Sequence, residues 1–291
     1  MTDPISITNF EFVIPRGLVM KSIRVLLLLA LMMSATLLHA DNIWDLQAVN
    51  ADGTGSHPKV GAALTPENKV TIEGIALNSP AEILNTDQMW QVYVQAESPD
   101  QGGIAAWAGI FYDNVSWPRY PVDIASGDRI RIEGWIDNVR GKVNITERHT
   151  PGVTFTVTKL QTGAGMPTPV VISDLGECND FDQTRSGGGE RYQSQWVRLD
   201  DVEILSGTWG AGNSLILRDD DGDTITMLLA GPGDFDSHLQ PAGRLSVLGI
   251  FDQEDLALPY HGDYRIWVKK FDNITEYAGL PDWDTYHFQR D

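Results

Sequence analysis

The sequence predicts an all-β protein in which two small five-stranded barrels follow a cleaved signal peptide. Short alternating apolar runs separated by Gly, Pro, Asn and Asp fill the chain, and no stretch has the apolar spacing of an amphipathic helix. Segments 127–137 and 242–252 share an arginine, an alternating apolar set, an inner glycine and a closing aspartate. Segments 70–77 and 197–204 also share one irregular apolar spacing. These two correspondences indicate an internal repeat.

The composition sets limits on stability and on partners. The 291 residues include 42% hydrophobic residues, which suffices for packed cores and excludes a disordered chain. A single cysteine excludes an internal disulfide and a cysteine-based zinc site. The formal net charge of −19 opposes polyanion binding by the surface as a whole, because nucleic-acid affinity comes largely from Lys and Arg.

The first forty residues are predicted to direct export. A basic start at Met20-Lys-Ser-Ile-Arg24 precedes an apolar stretch from Val25 to Leu38, and Ala40 stands at a suitable cleavage point. Residues 1–19 have no periodic pattern and are interpreted as an upstream extension. An uncleaved membrane anchor is the alternative, but the apolar stretch is shorter than the roughly 20 residues of a spanning helix. We expect a periplasmic or secreted protein that begins at Asp41 and has no membrane span.

The first strand of each barrel is predicted to be long and bent. Its apolar residues have steps of two, three and two in both copies, and a slip in strict alternation is typical of a β-bulge, here at Gly74 and at Asp201. A bent strand can pair on both sides and close a small barrel. The apolar positions are Val70, Ile72, Ile75 and Leu77 in the first copy, and Val197, Leu199, Val202 and Ile204 in the second.

Four further strands are predicted in each copy. In the fourth strand of the first copy, Ile130, Ile132 and Ile136 fall on one face, which we expect to be the core side. The predicted strands are 90–95, 106–112, 128–136 and 142–146 in the first copy, and 214–218, 224–229, 243–251 and 264–271 in the second. The predicted organisation is therefore an upstream extension and signal peptide (1–40), a first barrel with an N-terminal strand (41–160), a linker (161–189), a second barrel (190–278) and a C-terminal tail (279–291).

The order of several short motifs resembles the OB-fold domains that accompany bacterial extracellular nucleases. The resemblance covers about residues 43–147, and residues 190–276 resemble the same fold more weakly. It implies an oligomer-binding barrel, usually for nucleic acid, with a groove over strands two and three. The nuclease domain of that family is absent here, which implies an accessory role. The motifs are Ile43-Trp-Asp-Leu-Gln47, Val70-Thr-Ile-Glu-Gly-Ile75, Trp90-Gln-Val-Tyr-Val-Gln95, Gly109-Ile-Phe-Tyr112 and Gly127-Asp-Arg-Ile-Arg-Ile-Glu-Gly134.

Two groups of candidate ligand-binding residues belong to the first barrel. Gln91, Tyr93 and Gln95 are expected on the open face of strand two, where a tyrosine can stack on a base or sugar. The alternative is a surface tyrosine that covers the barrel. A basic cluster follows on strand four and beyond, and its alternative is a solvated face paired with nearby glutamates. That cluster comprises Arg129, Arg131, Arg140 and Lys142, with Arg148 beside it.

Charge assigns any polyanion site to the first barrel. Residues 68–160 carry eight basic and eleven acidic residues, whereas residues 189–276 carry seven and sixteen. In the second barrel, Trp209 lies in a glycine-rich loop, where it is interpreted either as a clamp on the ligand or as an anchor for the loop. The run Asp219–Asp223 has carboxylates at spacing suited to calcium, but a hairpin turn is the favoured interpretation.

The sequence offers no catalytic motif. None of the five histidines of the mature chain pairs with another at metal-ligand spacing, and Cys178 lies in an acidic stretch that disfavours its thiolate. No enzyme activity, cofactor or metal is therefore predicted. The predicted function is that of an exported OB-fold binding protein, most simply for single-stranded nucleic acid or a similar oligomer. An extracellular oligosaccharide and a protein partner are the alternatives.

Overall fold

The computed structural model describes residues 40–84, 89–98, 100–109, 123–148, 150 and 153–277. The predicted signal peptide, up to residue 39, and the predicted C-terminal tail lie outside these ranges. The described residues belong to one compact unit. They form an all-β protein with two seven-stranded sheets and only short helices. None of the helices in these ranges has the length and hydropathy that a bilayer crossing requires.

The elements divide between the two sheets in chain order. The first sheet follows helix α1 (Ile43–Leu46) and comprises β1 (Val70–Ala76), β2 (Met89–Gln95), β3 (Gly103–Gly109), β4 (Arg129–Gly134), β5 (Ile136–Val139), β6 (Lys142–Thr146) and β7 (Thr156–Gln161). The second comprises β8 (Val170–Ile172), β9 (Trp196–Gly207), β10 (Ser214–Arg218), β11 (Thr224–Leu229), β12 (Leu245–Gln253), β13 (Tyr264–Val268) and β14 (Ile274–Glu276), with helix α2 (Leu175–Asn179) after β8. Single 3-10 turns are present at Pro66–Asn68, Gly189–Arg191, Phe235–Ser237 and Phe271–Asn273.

The second sheet closes into a five-stranded barrel. Its strands pair in the order β9, β10, β11, β13 and β12, and β12 pairs back onto β9. The pairing of β11 with β13 is parallel and the other pairings in the ring are antiparallel. Inward side chains from all five strands, such as Leu199, Leu217 and Val247, make one buried cluster. Closure leaves no free edge within the ring.

The bulge predicted in β9 is confirmed. Asp201 has φ of +56°, and the register between β9 and β12 shifts between the pairs Leu245–Val202 and Val247–Leu199. Arg244 donates to the carboxylate and to the carbonyl oxygen of Asp201, which fixes the bulged residue. The extra residue bends β9, so that its two ends pair with different neighbours.

The first sheet has the strand order β5, β6, β3, β2, β1, β4 and β7. The bulge predicted at Gly74 is wrong, because β1 and β4 pair in unbroken register from Val70–Gly134 to Ile75–Arg129. Val70, Ile72 and Gly74 lie on the core face of β1 without a break in the alternation. Ile75 lies on the opposite face of the strand, and it is buried as well. A Cβ at Gly74 would lie 2.3 Å from the carbonyl oxygen of Gln95, so only glycine permits this approach of β1 to β2.

The predicted core face of the fourth strand is confirmed. Ile130, Ile132 and Ile136 are fully buried in the first core cluster. Trp135 interrupts the strand between β4 and β5, and its indole N–H donates to the carbonyl oxygen of Thr65 at 3.0 Å. The ladder therefore passes from β1 through β4 and β5 to β6 with one residue of interruption.

The two sheets share buried contacts. A separate apolar cluster joins Leu77, Ile83, Tyr93 and Ala105 of the first half to Trp196 and Ile250 of the second. Gln95 accepts a hydrogen bond from the backbone N–H of Trp196 at 2.8 Å, and a Cβ at Gly103 would lie 2.2 Å from the carbonyl oxygen of Ser194. Within the segment predicted as a linker, β8 pairs in parallel with β9.

Candidate ligand-binding cleft

A cleft of about 570 Å³ opens between the two halves. One wall is formed by β2, β3 and the hairpin of β5 and β6, and the other by β13 and by Glu254, which directly follows β12. Its polar and aromatic lining comprises Gln91, Trp107, Arg140, Lys142, Asn144, Thr146, Glu254, Arg265 and Trp267, and its apolar lining comprises Leu84, Met89 and Val139.

Two tryptophans and two amides give the cleft its recognition chemistry. Trp107 on β3 and Trp267 on β13 are half-buried and both line the cleft. Gln91 donates from its amide nitrogen to the Tyr93 hydroxyl at 2.8 Å, which fixes its orientation. Asn144 is 4% exposed, and its Oδ1 has no hydrogen-bond partner among the described residues. An unsatisfied acceptor is costly unless a ligand or water donates to it.

The floor of the cleft is an ion network that crosses the two halves. Lys142 Nζ lies 2.5 Å from Asp252 Oδ1 and 3.5 Å from Glu254 Oε2. Arg265 contacts the same two carboxylates at 2.8 and 2.6 Å, and Arg140 pairs with Glu254 Oε1. Burial opposes ionisation of Asp252, yet Lys142 and Arg265 hold the pKa of its carboxyl below the usual range. Each cation of the network is therefore paired with at least one of its two carboxylates.

Three of the predicted binding residues line this cleft. Gln91, Arg140 and Lys142 come together there although they belong to different strands and turns. Arg129 and Arg131 do not line it. They contact Glu73 on β1, and Arg129 Nε also lies 2.9 Å from Glu97. The structure thus separates the predicted basic cluster into two ion-paired groups.

The expected open face at Tyr93 and Gln95 is wrong. Tyr93 is fully buried in the apolar cluster between the halves, and burial followed by the nearby Asp252 raises the pKa of its hydroxyl. Gln95 is also buried and accepts from the Trp196 backbone. The second half covers this face of β2, so neither side chain is accessible for stacking on a ligand.

Trp209 is held as a loop anchor. Its indole N–H donates to the carbonyl oxygens of Phe235 and His238, at 3.1 and 2.9 Å. The ring meets Phe235 and Phe271 edge to face, with centroids 5.7 and 6.1 Å apart. These contacts fit the anchoring interpretation of the sequence, in which the ring holds the glycine-rich loop against the barrel.

The acidic run at 219–223 is a hairpin turn. Arg218 pairs with Thr224, and the Asp219 N–H donates to the Asp223 carbonyl oxygen at 3.0 Å. The carboxylates of Asp174, Asp219 and Asp223 lie within 4.8 Å of one another. Asp219 already accepts from the backbone N–H groups of Leu175 and Asp223, which gives it a structural role.

The single cysteine, Cys178, is buried. Burial raises the pKa of its thiol to about 12, so the thiol stays protonated.

Most of the residues that line the cleft were not predicted from the sequence. Trp107, Asn144, Glu254, Arg265 and Trp267 were not candidates, because the residues that each of them faces across the cleft come from the other half of the chain. The one available signal was the pair of tryptophans, Trp107 and Trp267, at half-buried positions of β3 and β13.

No protein-family model matches the chain, and no curated protein matches it. Solved structures do match. One is described as "Molecular basis for abrogation of activation of pro-inflammatory cytokines", with 10% identity, a TM-score of 0.31, and coverage of 70% of this chain and 90% of that one. Another is described as "Structure of murine DNA binding protein bound with ds DNA", with 11% identity, a TM-score of 0.30, and coverage of 68% and 92%. At these TM-scores neither likeness carries an argument about this chain.

Proposed function

We propose that this chain is an exported, non-catalytic binding protein made of two tandem OB-fold barrels, and that it binds an oligosaccharide in the cleft between them. The observation that carries the proposal is the cleft itself. It lies over β2 and β3, has tryptophans on both walls, and has the amides of Gln91 and Asn144 in its lining.

The tandem arrangement is supported by the pairing patterns. In the first sheet β1 pairs with β2, β2 with β3, and β3 in parallel with β6. In the second sheet β9, β10, β11 and β13 pair in the same way. If β4 and β5 count as one strand through Trp135, the first sheet also closes onto β1, as a five-stranded OB-fold barrel does.

Charge favours a saccharide over single-stranded nucleic acid. Tryptophan faces accept both bases and sugar rings, so stacking does not distinguish the two ligands. A row of phosphates needs several available cations, whereas Lys142 and Arg265 are each paired with both Asp252 and Glu254, and Arg140 alone keeps N–H groups outside its one ion pair. A row of phosphates in the cleft would also approach these carboxylates. Nucleic acid, which the family resemblance favours, is therefore the second candidate.

Binding measurements on the mature chain, residues 41–291, test the proposal. The probes are a panel of neutral and acidic oligosaccharides and a single-stranded DNA, titrated by calorimetry and tryptophan fluorescence at several salt concentrations. We expect a saccharide to bind with little salt dependence. Trp107→Ala and Trp267→Ala should each weaken it by about tenfold, a loss of ~1.4 kcal/mol.

Trp135→Ala is the matched control, because Trp135 is a half-buried tryptophan that does not line the cleft. Its affinity should equal that of the parent. Binding of DNA alone, with affinity that falls steeply with salt, would assign the function to nucleic acid instead. Binding of no saccharide in the panel would refute the proposal.

Export is a separate part of the proposal and has its own test. Expression of the full chain in a bacterium should give a periplasmic or secreted protein whose first residue is Asp41, as measured by intact mass. A membrane-bound product that keeps residues 20–40 would support the anchor interpretation instead.

A further inference from the structure

We infer that the saccharide bound in this cleft carries a carboxylate, as a uronic acid does, and that Arg140 binds it. The inference rests on the proposed function and names the ligand class of the same site.

The charge of the cleft points to one negative group on the ligand. Among the described residues, the network at the cleft floor has three cations against two carboxylates. One positive charge is therefore uncompensated, in a protein whose net charge is −19. The five members are Arg140, Lys142, Arg265, Asp252 and Glu254.

The uncompensated charge is exposed at Arg140. Its side chain is 52% exposed, against 6% for Lys142 and 20% for Arg265. Lys142 and Arg265 each contact both carboxylates, whereas Arg140 makes one ion pair in the described part of the chain, through Nη1. Its remaining N–H groups are free to donate to a ligand carboxylate, for which the planar guanidinium is well suited.

The carboxylates of the network have no comparable spare capacity. Asp252 Oδ1 accepts from Lys142, and Oδ2 accepts from Arg265 and from the Trp267 indole N–H at 3.2 Å. Both oxygens of Glu254 are likewise occupied. Within the network, a ligand therefore meets unpaired donors on Arg140, whereas every carboxylate oxygen already accepts a hydrogen bond. This arrangement suits a single carboxylate and disfavours a cationic sugar.

The backbone conformation at Arg140 allows a substitution that removes the charge without disturbing the turn. Arg140 and Gly141 have φ of +54° and +93° and form the two-residue turn between β5 and β6. Asn-Gly is the preferred pair for a turn with two positive φ values. Arg140→Asn therefore removes the charge while it keeps, or improves, the local conformation.

The experiment compares uronate oligosaccharides with galacturonate, glucuronate or mannuronate backbones to their methyl esters, which have the same rings without the charge. For the parent we expect at least one acid to bind about tenfold more tightly than its ester, because the ester cannot accept a charge-assisted hydrogen bond from Arg140. Arg140→Asn should lower the affinity for the acid to that for the ester and leave the ester unchanged. Arg140→Lys should restore part of the difference.

Arg198→Gln is the matched control, because Arg198 is 41% exposed and ion-paired but does not line the cleft. It should not alter either affinity. Equal affinities for acid and ester, or loss of both on Arg140→Asn at an unchanged unfolding midpoint, would overturn the inference and leave the proposed function standing. Failure of acids, esters and neutral saccharides to bind would refute the proposed function itself.

Discussion

Glu190 is a buried carboxyl group at the rim of the closed barrel, and its environment favours the protonated form. It is 2% exposed, and its Oε1 accepts from the Tyr264 hydroxyl at 2.8 Å. Burial raises its pKa to about 7, against the opposing effects of Tyr264, Gln193 and Arg185. A carboxyl group with a raised pKa binds more protons when folded than when unfolded, over the range between its two pKa values.

The contribution of Glu190 to the free energy of unfolding should therefore fall as pH rises from about 4.5 to above 7. Glu190 stabilises the fold fully at pH values below the pKa that it has in the unfolded chain. This stabilisation is lost as pH rises through the pKa of about 7 that it has in the folded protein. The loss is on the order of 3 kcal/mol. Glu190→Gln keeps an acceptor for Tyr264 and does not ionise, so it should match the parent at low pH and exceed its unfolding free energy at pH above 7. Urea unfolding of the parent and of Glu190→Gln across this pH range measures the two unfolding free energies. Parallel pH profiles for the two proteins would contradict the raised pKa of Glu190.

At the scale of a strand, the same apolar spacing has two different causes. In β9 the slip is a true bulge at Asp201, whereas in β1 it marks the point where the opposite face becomes buried. Sequence alone cannot separate these cases, because both place apolar residues at steps of two, three and two. The strands themselves were predictable, since β10 and β11 have the predicted bounds. Strands β7, β8 and β14 were not predicted. Strands β8 and β14 have only three residues each, which gives no periodic signal, and β7 buries only Val157 of its six residues.

Gly74→Ala tests this account of β1. The added Cβ would lie 2.3 Å from the Gln95 carbonyl oxygen and 2.8 Å from its carbon, so one strand must move. We expect a loss of about 1 to 3 kcal/mol in the free energy of unfolding, as for other overpacked sites. Gly262→Ala is the control, because nothing lies within 4 Å of its added Cβ and its φ is not in the left-handed region. A change of less than about 0.5 kcal/mol is expected there. Equal effects of the two substitutions would contradict the close approach of β1 and β2.

For the whole molecule, the decisive feature is the apolar and ionic surface that the two halves share. It explains why local sequence patterns located the strands but misplaced the site. By strand alternation, Tyr93 points away from the core of its own sheet. It is buried because Trp196 and Ile250 of the second half pack against that face. In the sequence, Lys142 belongs to a basic cluster that could be solvated. In the structure it pairs with Asp252, which is 110 positions away along the chain. Such contacts depend on long-range packing, which residue spacing within one strand does not encode.

The shared surface also predicts that both halves unfold together. Trp196, Tyr93 and Ile250 pack in one buried cluster, and the Lys142–Asp252 pair is almost inaccessible to solvent. Separation of the halves would expose this apolar surface and leave the buried charges unpaired, which is strongly unfavourable. Differential scanning calorimetry of the mature chain should therefore show one transition, with equal calorimetric and van't Hoff enthalpies. Trp196→Ala should lower its midpoint, because removal of a buried tryptophan costs about 3 to 5 kcal/mol. Two separate transitions in the parent, with Trp196→Ala shifting one of them alone, would show that each half is stable without the other.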